Sequence, residues 1–142
     1  MSINSNARTN WRGDFASGAG RTLLATSGTT ELDVNWLARS AGSHSTTTPE
    51  ELLAAAHASC YSMALANVLS EAGSPPIQLN VDATVTFVPG TGVTRSELRV
   101  HASVPGISKD DFQLAAADAK TNCPVSQALS GIEIILASAT LD

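Results

Sequence analysis

The stretch TTTPEELLAAAHASCYSMALANVLSEAG, residues 46–73, sets the strongest constraint on what this chain can fold into. Thr48 is a good N-cap, Pro49 suits the first helical position, and Glu51, three residues after Thr48, completes a capping box. At the far end Gly73 fits a C′ position, and Ser74-Pro75-Pro76 stops the helix. The span 49–72 is therefore expected to be one helix, roughly 36 Å long at 1.5 Å per residue. Nearly every face of it is apolar, so it needs cover on all sides, from other elements and from a second subunit. Midway along it stands Cys60.

Around this helix the hydrophobic period changes. Segments near 8–16, 21–26 and 31–37 are short and punctuated by glycine, which predicts a small antiparallel meander. The RGD in "NWRGD" (10–14) reads as a turn at Gly13 after a short strand rather than as an adhesion motif. Residues 40–48, SAGSHSTTT, predict a polar loop. After the helix, Ile77, Leu79, Val81, Ala83, Val85 and Phe87 alternate with polar residues. PGTG (89–92) turns the chain, and Leu98, Val100, Ala102 and Val104 alternate again, which predicts an antiparallel hairpin with one wet face. Ser108 caps a second helix with Phe112, Ala115, Ala116 and Ala119 on one face. A short helix restarts at Pro124 and closes at Gly131, and 132–141 predicts a terminal strand. No linker, repeat or low-complexity tract divides the 142 residues, so one α+β domain, 1–142, is expected.

Composition narrows the function classes. A net charge of −5 with no basic run argues against a nucleic-acid surface. The polar opening MSINSNARTN has no apolar core of a secretory signal, and no run approaches 18 consecutive apolar residues, so a cytoplasmic protein with no membrane span is expected. In a reducing compartment two cysteines are more often redox-active or metal-binding than structural. Aromatics are only 4% of the chain, so the core must be built from Ala, Val, Leu and Ile.

Cys60 is flanked on its helix by Ala56, Ser59 and Ala64, which leave room for a substrate to approach. Cys123 lies immediately before Pro124 at a helix start, where free N–H groups favour a thiolate. Each alone reads equally well as an inert core thiol; together they can form a redox pair if the fold joins them. At 100° per residue His57 lies about 60° and Glu50 about 80° from Cys60, so the three share one broad face. Glu50, however, is about 15 Å upstream along the axis, beyond hydrogen-bond reach within one helix. Glu51 points the other way and serves the cap. His57 itself reads first as a partly exposed helix histidine. A metal site built on His57 and Cys60 with His44, His101 or Cys123 lacks the paired Cys-x-x-Cys knuckle, and a serine hydrolase lacks the G-x-S-x-G elbow; neither is expected.

The stretches PEELLAAAHASCYSMAL with EAG after it, and NCPVSQAL some sixty positions on, resemble the OsmC/Ohr family of organic hydroperoxide reductases, its OsmC branch above all. WRGD near the start and VPGIS before the second helix fit the same picture, and the similarity spans essentially the whole chain. The resemblance implies an OsmC-like fold, antiparallel sheets around a long central helix, in an intertwined homodimer with active sites at the subunit interface. It implies that Cys60 is the peroxidatic cysteine, which becomes a sulfenic acid, and that Cys123 resolves it as an intramolecular disulfide. It places the family's acid on Glu50 and its arginine on Arg39 in WLARSAG, with Arg21 as the alternative. Arg39 would then bridge the gap that Glu50 cannot span, part of the pair being supplied across the dimer interface. No cofactor or metal is implied. The partners are an organic hydroperoxide and an external dithiol reductant, of lipoyl type in relatives. The function expected is a thiol-dependent peroxidase preferring organic hydroperoxides to hydrogen peroxide, in oxidative or osmotic stress defence. The alternatives are a non-enzymatic binder of a small apolar or lipidic ligand and a general dithiol-disulfide oxidoreductase.

Overall fold

Three short strands open the chain: β1 (Arg8–Arg12), β2 (Ala19–Leu23) and β3 (Glu31–Asn35). They form an antiparallel sheet in the order β1-β2-β3. Gly13 follows β1 at φ +92°, a left-handed conformation that glycine adopts without a Cβ clash. Trp11 sits opposite Gly20 in the register, and a Cβ on Gly20 would meet the Trp11 ring at 2.9 Å. The indole thus lies flat over a strand position that has no side chain. The computed structural model describes residues 1–142 and divides into two compact units, 1–52 and 53–142.

A helix that the sequence pattern did not predict, α1 (Trp36–Ala41), follows β3 directly. Its six residues are too few for a hydrophobic period, but the Asn35 side chain caps it, Oδ1 accepting from the Ala38 N–H at 2.7 Å. The polar loop then leads to α2 (Pro49–Glu71). Thr48 caps α2 as expected, its hydroxyl accepting from the Glu51 N–H at 3.1 Å. The reciprocal half of the capping box is replaced: the Glu51 carboxylate takes the Thr47 hydroxyl. At the other end Gly73 has φ +79°, the Gly73 N–H bonds Ser70 O at 3.0 Å and the Ser74 N–H bonds Leu69 O at 2.9 Å. That is a Schellman closure of the C-terminus.

The second unit holds most of α2 with β4 (Gln78–Val88), β5 (Gly92–Ser103), α3 (Lys109–Asn122), α4 (Pro124–Ala128) and β6 (Glu133–Leu141). β4 and β5 form the predicted antiparallel hairpin. β6 joins the far side of β5 in parallel, giving the order β4-β5-β6. Alternation marks β6 as a strand without fixing its direction; the direction follows because α3 and α4 carry the chain back before β6 begins.

The core of this unit is built from Tyr61, Leu65 and Leu69 of α2, Leu98, Val100 and Ala102 of β5, and Phe112, Ala115, Ala116 and Ala119 of α3. Each large side chain among them contributes about 1.5–3 kcal/mol by leaving water. The α3 face is the one its spacing predicted. Within one chain only a single stripe of α2 is buried: Met63 is 69% exposed, so the all-round cover that its composition calls for is not reached inside the chain. By length and composition α2 is able to cross a bilayer, yet Tyr61, Leu65 and Leu69 are wholly buried in the unit's own core, the packing of a central core helix.

Candidate active site

The fold brings the two cysteines together. α2 carries Cys60 on the flank of its buried stripe, and Cys123 caps the start of α4 with its side chain wholly buried. Both are free thiols. Cys60 packs against the core cluster that contains Cys123, and each sulfur shifts the other's pKa.

The surroundings place the charge unevenly. Burial pushes the Cys60 thiol above its ordinary value; the Val125 N–H counters this, and the hydrogen bond to Cys123 with that sulfur's charge adds to it. Burial alone would raise Cys123 too. It is outweighed by donors aimed at its sulfur: the Ser126 N–H, the Cys60 thiol, the Ser126 hydroxyl and the Val125 N–H, which hold Cys123 below the ordinary thiol range. The sulfur closes no cap hydrogen bond of normal geometry at the start of α4, so these N–H groups act by their field. Of the two thiols, Cys123 is therefore the one whose surroundings favour the thiolate.

His57 is not the partly exposed helix residue its sequence context predicted. Its side chain is wholly buried one turn before Cys60, because its position continues the stripe of Tyr61, Leu65 and Leu69. Its Nδ1 lies 2.6 Å from Ser96 Oγ and its Nε2 lies 2.8 Å from Ser126 Oγ, both hydroxyls buried. Burial holds its pKa below the ordinary imidazole value. Ser96 and Ser126 were not singled out from sequence. Only the i, i+3 spacing of Cys123 and Ser126 signals that the second shares the face of the thiol.

In the first unit Arg39 of α1 meets Glu50 of α2. Arg39 Nε lies 3.0 and 3.2 Å from the two carboxylate oxygens, and Nη2 lies 2.6 Å from Oε1. The Glu50 side chain is 7% exposed and that of Arg39 is 32% exposed. Arg21, the alternative partner, is bound elsewhere, to Glu31 at 3.2 Å and Asp33 at 3.5 Å on its own exposed sheet. Beside Arg39 the unit forms a cleft of about 540 Å³, lined by Trp11, Phe15, Val34, Trp36 and Leu52 among others. The Phe15 and Trp36 rings stand 4.4 Å apart between centroids. Three of the chain's six aromatic side chains, Trp11, Phe15 and Trp36, thus line one cleft, a clustering that scarcity alone did not reveal. Of the remaining histidines, His101 bonds Thr140 and Asp142 at the surface.

Two free thiols brought together on an α+β fold form the arrangement of a dithiol redox protein. The chain belongs to the OsmC family: residues 42–137 match the family described as OsmC-like protein. It is 35% identical over 132 residues to the protein named Peroxiredoxin OsmC of Escherichia coli (strain K12), covering 91% of this chain and 92% of that one. The fold is that of the OsmC-like protein from Mycoplasma pneumoniae, with a TM-score of 0.73 at 14% identity over 100% of both chains. The organic hydroperoxide resistance protein OhrB of Bacillus subtilis superposes with a TM-score of 0.66 at 24% identity, over 96% of this chain and 98% of that one.

Proposed function

We propose that this chain is a cysteine-based peroxidase that reduces organic hydroperoxides, and hydrogen peroxide more weakly, through Cys60. A peroxidase-type role accords with its membership of the OsmC family and with the relative named as a peroxiredoxin. The observation that carries the finer reading is that two free thiols, 63 positions apart in sequence, are brought into one core cluster. When Cys60 gives up its proton, it becomes the nucleophile. Its sulfur attacks the terminal peroxide oxygen, the O–O bond breaks, and the alkoxide leaves and takes up a proton as the alcohol. Cys60 is then a sulfenic acid. Cys123 attacks it, an S–S bond forms, the S–O bond breaks and water leaves. An external dithiol of lipoyl type restores both thiols.

Arg39, held straight by Glu50, supplies the fixed positive charge that favours a Cys60 thiolate and the departing alkoxide. The aromatic cleft beside Arg39 has the chemistry to take an alkyl tail, which favours organic peroxides. The chain acts as one OsmC-like domain, 1–142, in a cytoplasmic homodimer in which part of the site comes from the partner. The exposed flank of α2 around Met63 is the surface left for that partner.

Stopped-flow oxidation by cumene hydroperoxide and by hydrogen peroxide tests this. Rapid consumption, faster with cumene hydroperoxide and abolished in Cys60→Ser, is expected. Absence of any peroxide-dependent thiol oxidation would overturn the proposal and leave a ligand binder. Equal turnover of disulfides without peroxide preference would point instead to a general dithiol oxidoreductase.

A further inference from the structure

The chemistry proposed above leaves the buried imidazole of His57 without work. His57 is wholly buried, and both of its ring nitrogens are engaged by buried serine hydroxyls, Ser96 on β5 and Ser126 on α4. Ser126 lies one turn after Cys123, and the Gln127 N–H closes that turn onto Cys123 O at 3.0 Å. The Ser126 hydroxyl bonds the imidazole at 2.8 Å and is on the same turn as Cys123, whose thiol pKa it lowers.

Counting donors fixes the direction of this chain. A neutral imidazole has one N–H and one bare nitrogen, and a hydroxyl has one proton to give. If the Ser126 hydroxyl gives its proton to the Cys123 thiolate, its oxygen must receive the hydrogen on His57 Nε2. Nδ1 is then bare and accepts from the Ser96 hydroxyl. The order is Ser96 O–H to Nδ1, Nε2–H to Ser126 Oγ, Ser126 O–H to Cys123 Sγ. No buried side-chain nitrogen or oxygen in the chain lacks a partner, those of His57, Ser96 and Ser126 included.

We propose that His57 is a positioning residue for Cys123: acting through Ser126, it fixes a one-way chain of donors that ends on the Cys123 sulfur and aims that sulfur at Cys60. The inference rests on the peroxidase reading for its purpose, though not for its geometry. In the resolving step the Cys123 sulfur supplies the electron pair of the S–S bond, the S–O bond of the Cys60 sulfenic acid breaks, and hydroxide leaves and is protonated to water. A sulfur held ionised and oriented closes that bond faster than one that must first lose a proton and turn. In the second half of the cycle the external dithiol attacks Cys60, and Cys123 leaves as the thiolate that the same donors receive.

The decisive experiment needs no peroxide. In the Cys60→Ser chain the Cys123 thiolate is titrated by its ultraviolet absorbance, with Ser126→Ala, His57→Leu and His57→Gln added in turn. Ser126→Ala and His57→Leu are expected to raise the titration midpoint by about one pH unit, the worth of one hydrogen bond to a charged group. His57→Gln keeps an N–H donor toward Ser126 and is expected to restore most of the shift. Should His57→Leu fail to fold, the ring ¹⁵N spectrum of the parent chain decides, at a pH where Cys123 is ionised. Protonated Nε2 is expected there, and protonated Nδ1 overturns the proposal. An unchanged midpoint in Ser126→Ala overturns it equally. In the chain with both cysteines, Ser126→Ala is expected to lengthen the life of the Cys60 sulfenic acid about tenfold. If no sulfenic acid forms with any peroxide, the peroxidase reading fails while the titration still judges the donor chain.

Discussion

Arg39 grips Glu50 through two nitrogens, Nε between both carboxylate oxygens and Nη2 on one of them. A planar guanidinium clamped in this way cannot swing, and its remaining N–H groups keep one direction. Arg39→Lys retains the charge and loses the fork. It is expected to lower kcat/KM for cumene hydroperoxide by roughly 10–100-fold, the worth of one or two charge-assisted hydrogen bonds. A lysine variant with parental kcat/KM would remove Arg39 from the mechanism.

The same clamp has a stability consequence. Arg39→Met leaves a carboxylate that is almost wholly covered without its partner, at a cost of about 1–3 kcal/mol. Adding Glu50→Gln removes the stranded charge, so the double variant is expected to be more stable than Arg39→Met alone. Denaturant midpoints in the four-member cycle check this, and strictly additive effects would show that the pair is not coupled.

Cys123→Ser is expected to consume one equivalent of organic hydroperoxide per Cys60 and then stall as a sulfenic acid trapped by dimedone. Sustained turnover in this variant would show that an outside thiol, and not Cys123, resolves the intermediate.

Acid should unfold this chain in a window set by His57. Burial holds the folded histidine below its ordinary value near 6.5, so between that value and the folded one the unfolded chain binds more protons. Stability is therefore expected to fall as pH drops through about 6.5 and to level once the folded form also titrates. His57→Gln should flatten that part of the curve in urea midpoints taken from pH 7.5 to 4.5. An equally steep fall in the variant would assign it to the carboxylates.

Met63 projects from the unburied flank of α2. Met63→Glu is expected to leave the stability of the single chain within about 0.5 kcal/mol while shifting sedimentation toward the monomer and lowering specific activity on dilution. Full activity in a variant proven monomeric would sink the shared site.

Sequence reading went furthest where local chemistry decides the outcome. The caps at Thr48 and Gly73, the alternation of β4 and β5, and the α3 stripe of Phe112, Ala115, Ala116 and Ala119 all depend on neighbours a few residues apart. What needs distant partners stayed hidden. Spacing could not show that Cys123 reaches Cys60, nor that β6 pairs in parallel. His57 was misplaced for the same reason. A histidine among alanines looks solvated until Ser96 and Ser126, far away in sequence, supply hydroxyls that make its burial tolerable. α1 was missed because its helix is shorter than any period and rests on one Asn35 cap.

The parallel seating of β6 also orders events in time. Cys123 rides in the connection between β5 and β6, whereas Cys60 belongs to a helix that can form from local contacts. Parallel, non-local pairing is slow to assemble because a long loop must close first. A newly made chain is therefore expected to hold Cys60 apart from Cys123 until its last strand docks, and on the function proposed above an oxidant arriving in that interval would meet a thiol with no resolving partner. The length of that interval is then expected to follow the closing of a sheet, while the reactivity of the sulfur decides how much oxidation occurs within it.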